Sequence, residues 1–150
     1  MASSIPAALD YLVSLARDLP QRKAVNDGWP AERGDTKVII GIDDDSGDAP
    51  VEGSYSQLER REVESVEVRC MVEVRRAGTG AASRARSDAF AIFDGFRQAI
   101  RDDRRLGGAV TPGLPARIER FTMAQTDEPR QAGEGRVCAV KFTVAWSHRA

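Results

Sequence analysis

Residues 63–75 read VESVEVRCMVEVR, and within them Val66, Val68, Cys70, Val72 and Val74 alternate strictly with Glu67, Arg69, Met71, Glu73 and Arg75. A period of two with one apolar face describes a half-buried β-strand. A slip of one residue would turn every valine to water, so the register of this strand is tightly specified. At about 3.3 Å per residue the stretch would span roughly 40 Å, longer than the common strand of about 5–6 residues. The fold must therefore contain a sheet, and something apolar must cover one of its faces.

Two segments are suited to that cover. Residues 4–19, SIPAALDYLVSLARDL, place Ile5, Leu9, Leu12, Val13, Ala16 and Leu19 on one helical stripe. Ser4 is a candidate cap, Pro6 is tolerated in the first turn, and Pro20 ends the helix. A second helix is expected from about Ser83 to Leu106, burying Ala85, Ala89, Ile92, Phe93, Phe96 and Ile100 and stopped by Gly107 and Gly108. Its Arg86, Asp94, Arg97 and Arg101 face away.

Three further strands are expected. They are 37–42, a moderate strand over 117–125, and RVCAVKFTVAWSH, in which Cys138, Val140, Phe142, Val144 and Trp146 share a face. VNDGWPAERGDT is rich in turn formers, with Trp29 large enough to act as an anchor. TDEPRQAGEG reads as a loop. The expected fold is one α+β domain over residues 1–150, in the order α-β-β-α-β-β. A mostly antiparallel four-stranded sheet is packed by two helices, with a long polar loop from Asp43 to about Glu62 between the first two strands. An unstructured loop of roughly 20 residues inside a compact domain tends to be functional or ordered by a partner.

That loop opens on Asp43, Asp44, Asp45 and Asp48. An EF-hand beginning at Asp43 needs glycine at its sixth position and glutamate at its twelfth, where this chain has Asp48 and Ser54. No histidine or lysine can be placed beside the acids to make an acid/base pair. They read as a solvated loop tip, with an interface next in order and a cation site last. GTGAAS lies between a strand and a helix, but it lacks the third glycine of a dinucleotide turn and the GK[ST] of a P-loop. A plain strand-to-helix turn is the better reading. His148 is the only histidine, and Cys70 and Cys138 lie inside strand-like segments without metal-ligand spacing. The expectation is no enzyme, no metal site and no cofactor.

The 22 basic and 23 acidic residues leave a net charge of −1, without the basic excess of a protein that grips nucleic acid. No apolar run approaches the ~20 residues of a membrane helix, and MASSIPAALD lacks the features of a signal peptide. A soluble chain made in the cytoplasm, with no membrane partner, is expected. On the long strand, the mixed charges Glu67, Arg69, Glu73 and Arg75 form either a solvated face or a self-complementary contact between identical subunits.

The succession VNDGWP, VIIGIDD, the long strand, SRARSDAFAIFDGFRQAIRDDRRLGG, QTDE and GRVCAVKFTV resembles the tail terminator proteins of long-tailed phages, particularly those infecting actinobacteria. The likeness runs in order over nearly the whole chain. It implies a small α+β virion protein, assembled in the host cytoplasm and placed at the head-proximal end of the tail. Such proteins form a hexameric ring that caps the tail tube, ends its polymerisation and joins the head connector or stopper protein. DNA would pass through the ring without specific binding. The family brings no catalytic residues, and the EPRQAG stretch departs from its pattern, leaving the role of the 126–135 loop open. The interface candidates are Asp43, Asp44, Asp45, Asp48, Glu67, Arg69, Glu73 and Arg75. The competing reading is a monomeric head-tail adaptor or another minor tail or connector protein, and an enzyme of unknown type comes third.

Overall fold

The computed structural model describes residues 2–29, 31, 33–44, 46–111, 114–128 and 135–149. Eight elements follow one another: α1 (Ile5–Asp18), β1 (Ala24–Asp27), β2 (Thr36–Ile40), β3 (Val51–Leu58), β4 (Arg61–Ala77), α2 (Ala81–Asp102), β5 (Arg117–Glu128) and β6 (Gly135–Arg149). The strands form one six-stranded sheet ordered β1-β2-β4-β6-β5, and β3 also pairs with β4. β4 is the central strand. One of its edges is bonded along its length to β6, from Val63↔Arg149 to Ala77↔Gly135. Its other edge is shared, with β3 along residues 61–68 and β2 along residues 70–74.

This corrects the expected four-stranded, mostly antiparallel sheet and the order α-β-β-α-β-β. The sheet is mixed, because β1 runs parallel to β2 while every other pairing is antiparallel. The two extra strands come from segments whose composition argues against strands. VEGSYSQL has glycine, serines and no alternation, and it is held by its ladder to β4 through a tight turn at Glu59, whose φ is 57°. The long loop after β2 is therefore half strand. AVND, read as the start of a turn-rich stretch, pairs with β2, and its buried Asn26 amide donates to Val38 O at 3.5 Å. At the other end, β5 continues through Glu128 and β6 begins at Gly135, so residues 126–128 and 135 of the expected 126–135 loop are strand, and 129–134 lie outside the described residues.

Both helices lie against the same face of the sheet. Val66, Val68, Cys70, Val72 and Val74 from β4 join Val38 and Ile40 from β2 and Cys138, Val140, Phe142, Val144 and Trp146 from β6 in one core. Into it α1 places Ala8, Leu12, Val13, Leu15 and Ala16, and α2 places Ala85, Ala89, Ile92, Phe93, Phe96 and Ile100. Ring centroids of Phe93 and Phe96 lie 5.1 and 5.3 Å from that of Phe142, the centre of the helix–sheet contact. α2 ends earlier than its stripe suggested. Past it, Gly107 sits at φ 68° where a Cβ would come within 2.7 Å of the Tyr11 ring, so this turn packs closely against α1.

Ser4 does not cap α1 with its side chain. Ser3 Oγ instead accepts from the Ile5 N–H at 3.2 Å. Ser4 is drawn into the core, where its N–H donates to Glu64 Oε1 at 2.9 Å, its hydroxyl donates to the same oxygen, and Trp146 Nε1 donates to Ser4 Oγ at 2.9 Å. Tyr55 OH donates to the second Glu64 oxygen at 3.0 Å. Burial pushes the Glu64 carboxyl up, but hydrogen bonds from Ser3, Ser4 and Tyr55 outweigh it and hold the group below its ordinary value. α1, β3, β4 and β6 are thus tied through one ionised carboxylate.

Truncating Phe93 or Phe142 to alanine should lower unfolding free energy by about 3–5 kcal/mol in denaturant titrations, the range for emptying an aromatic core site. A change below about 1 kcal/mol at both would mean that the helix–sheet contact is not where these rings meet. Glu64→Ala should cost about 1–3 kcal/mol by leaving the buried Ser4 donors without an acceptor. Equal stability of parent and variant would show that the Ser4 donors find other partners.

Candidate functional site

Among the described residues, the second face of the sheet carries no helix, and Glu67, Arg69, Glu73 and Arg75 of β4 point into it. Most of the interface candidates lie here, and several are already engaged within the chain. Asp44, just beyond the end of β2, folds back over the sheet. Arg69 Nη2 meets both of its carboxylate oxygens at 3.2 Å, and Lys141 Nζ on β6 reaches Oδ2 at 2.9 Å. The turn is closed by the Ser46 N–H, which donates to Asp44 Oδ1 at 3.0 Å, and by Arg69 Nη1, which donates to Asp48 O at 3.2 Å. Hydrogen bonds from Ser46 and then Lys141 hold the Asp44 carboxyl far below the usual carboxylate range, against a smaller opposing effect of burial.

The other candidates divide. Glu73 pairs with Lys37 directly across the β2–β4 ladder at 3.3 Å. Arg75 is half-buried, and its backbone N–H donates to Asp35 O at 2.6 Å. Glu67 is half-buried opposite Glu52 of β3. Asp43 and Asp48 are exposed, and Asp45 lies outside the described residues. Beneath the Asp44 turn, Ile39, Ile42 and Met71 form a second apolar cluster with Ala31 and Ala139. Met71, the apolar residue among the charges from Glu67 to Arg75, is explained by this cluster. Asp44 is therefore a clasp that pins the β2–β3 connection onto the open face.

Beside the clasp, an open cleft is lined by Arg69, Arg120, Thr122, Lys141 and Thr143. A second lies between β3 and β5, with Glu52, Glu67, Arg117, Glu119 and Ser147 among its walls. Burial pushes the Cys70 thiol up to about 12 and raises that of Cys138, and both thiols are free. His148 Nδ1 accepts from the Thr111 N–H at 3.2 Å, an anchor for the segment before β5. Among the described residues, no group of three or more histidine, cysteine, aspartate or glutamate side chains is placed to hold a metal ion, and no helix is long and apolar enough to cross a membrane.

The sequence did not single out the outer edge of β5. Arg117, Glu119 and every residue from Arg120 to Asp127 are exposed, and Phe121 and Met123 keep 49% and 41% of their surface in water. At the opposite margin Tyr55 of β3 is 62% exposed, and Trp29, expected as an anchor, is 51% exposed. The sequence carries the Phe-Thr-Met alternation of a strand but no mark that β5 would stand at the margin of the sheet.

No protein-family model matches the chain, and no curated protein matches it. Among solved structures, a chain described as "Virion of native gene transfer agent (GTA) particle" is similar at 15% identity, covering 91% of this chain and 84% of that one, with a TM-score of 0.38. A likeness at that TM-score carries no argument about the role of this chain.

Asp44→Ala should lower stability by roughly 1 kcal/mol near neutral pH, the upper end for a partly exposed ion pair. A carboxyl with a depressed folded-state pKa contributes fully above its unfolded value near ~4 and loses that contribution as pH falls through the folded value. The gap between parent and variant in urea titrations should therefore narrow below about pH 4. A gap that is absent at neutral pH, or that widens in acid, would remove the clasp.

Proposed function

We propose that this chain is a structural virion protein that forms a ring on the end of a phage tail tube, ends tube polymerisation and joins the tail to the head connector. The observation that carries the reading is the unlikeness of the two faces of the sheet. One is covered by both helices and the other is open, polar and clasped by Asp44. A tube of stacked rings exposes the same end surface after every addition, a heterologous contact that keeps growing. A terminating subunit needs one surface that docks on the tube and a different one that does not repeat it. The two unlike faces of this domain support that reading, as does the resemblance of its sequence to the tail terminators over nearly its whole length.

The partners under this reading are further copies of the chain, closing as a hexamer, the tail tube protein and the head connector or stopper protein. Asp43, Asp48 and Glu67, which face outward or line an open cleft, remain the interface candidates of the original set. A net charge of −1 suits a channel through which DNA slides, since no basic excess would hold the phosphates.

Phage lacking this protein should accumulate heads detached from tails, together with tails longer than normal. Purified protein added to such a lysate should restore joined particles in electron micrographs. Tails of normal length attached to heads in its absence would sink the reading. Restored joining by a single copy per particle would replace the ring with a monomeric adaptor.

A further inference from the structure

We infer that the open cleft beside the Asp44 turn is an anion site that takes a single small phosphate group, and that Asp44 competes with this ligand for two of its three cations. The ladders set the cations in place. Thr143 of β6 lies opposite Arg69 of β4 on one side and opposite Arg120 of β5 on the other, while Lys141, two residues along the same face of β6, lies opposite Thr122. Side chains directly opposite in a ladder share a face and stand about 5 Å apart. Arg69, Lys141 and Arg120 therefore surround the Thr143 and Thr122 hydroxyls on the open face, and all five residues line the cleft. Like charges gathered this closely repel one another unless an anion lies among them.

Asp44 is that anion for two of the three. Its carboxylate meets Arg69 at 3.2 Å and Lys141 at 2.9 Å, so the spacing of these two cations already fits an oxyanion. Arg120 has no share in it. Among the described residues Arg120 stands in no ion pair, and the hydroxyls of Thr122 and Thr143 meet no partner. Thr143 is only 5% exposed, so its hydroxyl can be satisfied only by what enters the cleft. A guanidinium carries five N–H donors and an ammonium three. The two oxygens of Asp44 are taken by Arg69, Lys141 and the Ser46 N–H, whereas a phosphate group brings three strong acceptor oxygens. The unfilled donors call for the ligand with more acceptors. Asp48 is the one carboxylate in the wall, so the three cations face two acids when Asp44 is counted, an excess of one positive charge. The cleft volume of about 170 Å³ lies below the roughly 300–1,000 Å³ of pockets for drug-sized ligands, which suits a small ion. A nucleic-acid backbone fits less well, because its next phosphates would meet Glu52, Glu67 and Glu119 in the adjoining cleft. Nothing in this site depends on the proposed tail role.

Inorganic phosphate titrated into the whole chain at constant ionic strength should shift the amide resonances of Arg69, Arg120, Thr122, Lys141 and Thr143, and the shifts should saturate within the millimolar range. Arg120→Gln changes an exposed side chain with no partner to lose, and it should weaken binding roughly tenfold, the loss of one charge-assisted hydrogen bond. Asp44→Asn removes the competing charge while keeping the shape of the side chain, and it should tighten binding roughly tenfold. Amide resonances away from the cleft should superimpose for all three proteins. A short DNA duplex at equal phosphate concentration should leave the five amides unmoved. Shifts that never saturate, or that sodium chloride reproduces, would mean screening of surface charge only and would overturn the site. An affinity that Arg120→Gln leaves unchanged would do the same, as would one that Asp44→Asn fails to raise while its other amides stay in place. Duplex DNA that binds more tightly than free phosphate, with the same dependence on Arg120, would overturn the assignment to a lone phosphate group.

Discussion

β4 depends on having its entire hydrogen-bonding capacity met. A strand of 17 residues exposes donors and acceptors along two edges, and any left dry and unpaired would cost about 1–3 kcal/mol each. The fold answers with one long partner, β6, and two short ones laid end to end, β2 and β3. The remaining arrangement follows. β4 turns back at once on β3, which continues the line of β2 along the same edge, and the connection between β2 and β3 folds out over the open face. That connection is the segment on which the acids lie.

The Asp44 clasp is a response to this outward fold. A segment with several acids in succession would repel itself and lift from the sheet, but Arg69 and Lys141 are spaced across two adjacent strands so that one carboxylate bridges both. The charge alternation of β4 is thereby spent largely inside the molecule, with Glu73 on Lys37 and Arg69 on Asp44.

What the sequence revealed and what it concealed divide along the source of each element's stability. The helices and β4 and β6 were legible, because their periodicity records burial against one core, and nearly every residue expected on those apolar faces lies in it. β1 and β3 were not, because AVND and VEGSYSQL are held by ladders to neighbours distant in sequence, which leave no local pattern. The parallel β1–β2 pair was hidden for the same reason. Ser4 was misread as a cap because its partners, Glu64 and Trp146, lie far along the chain. Of the candidate residues, the proximity of Asp44 to Arg69 required the register of the sheet. The exposure of Phe121 required knowing that β5 is the last strand.

The Ser4–Trp146 bond joins residues 142 positions apart, and β6 is the last strand to leave the ribosome although it is the one β4 most needs. The contact order of the domain is consequently high, and folding waits on the most distant segment. Until residues 135–149 emerge, the long apolar face and one full edge of β4 have no lasting partner. The nascent chain therefore passes through a period in which its most regular strand is also its most adhesive, and the rate at which residues 135–149 follow it sets how long that period lasts.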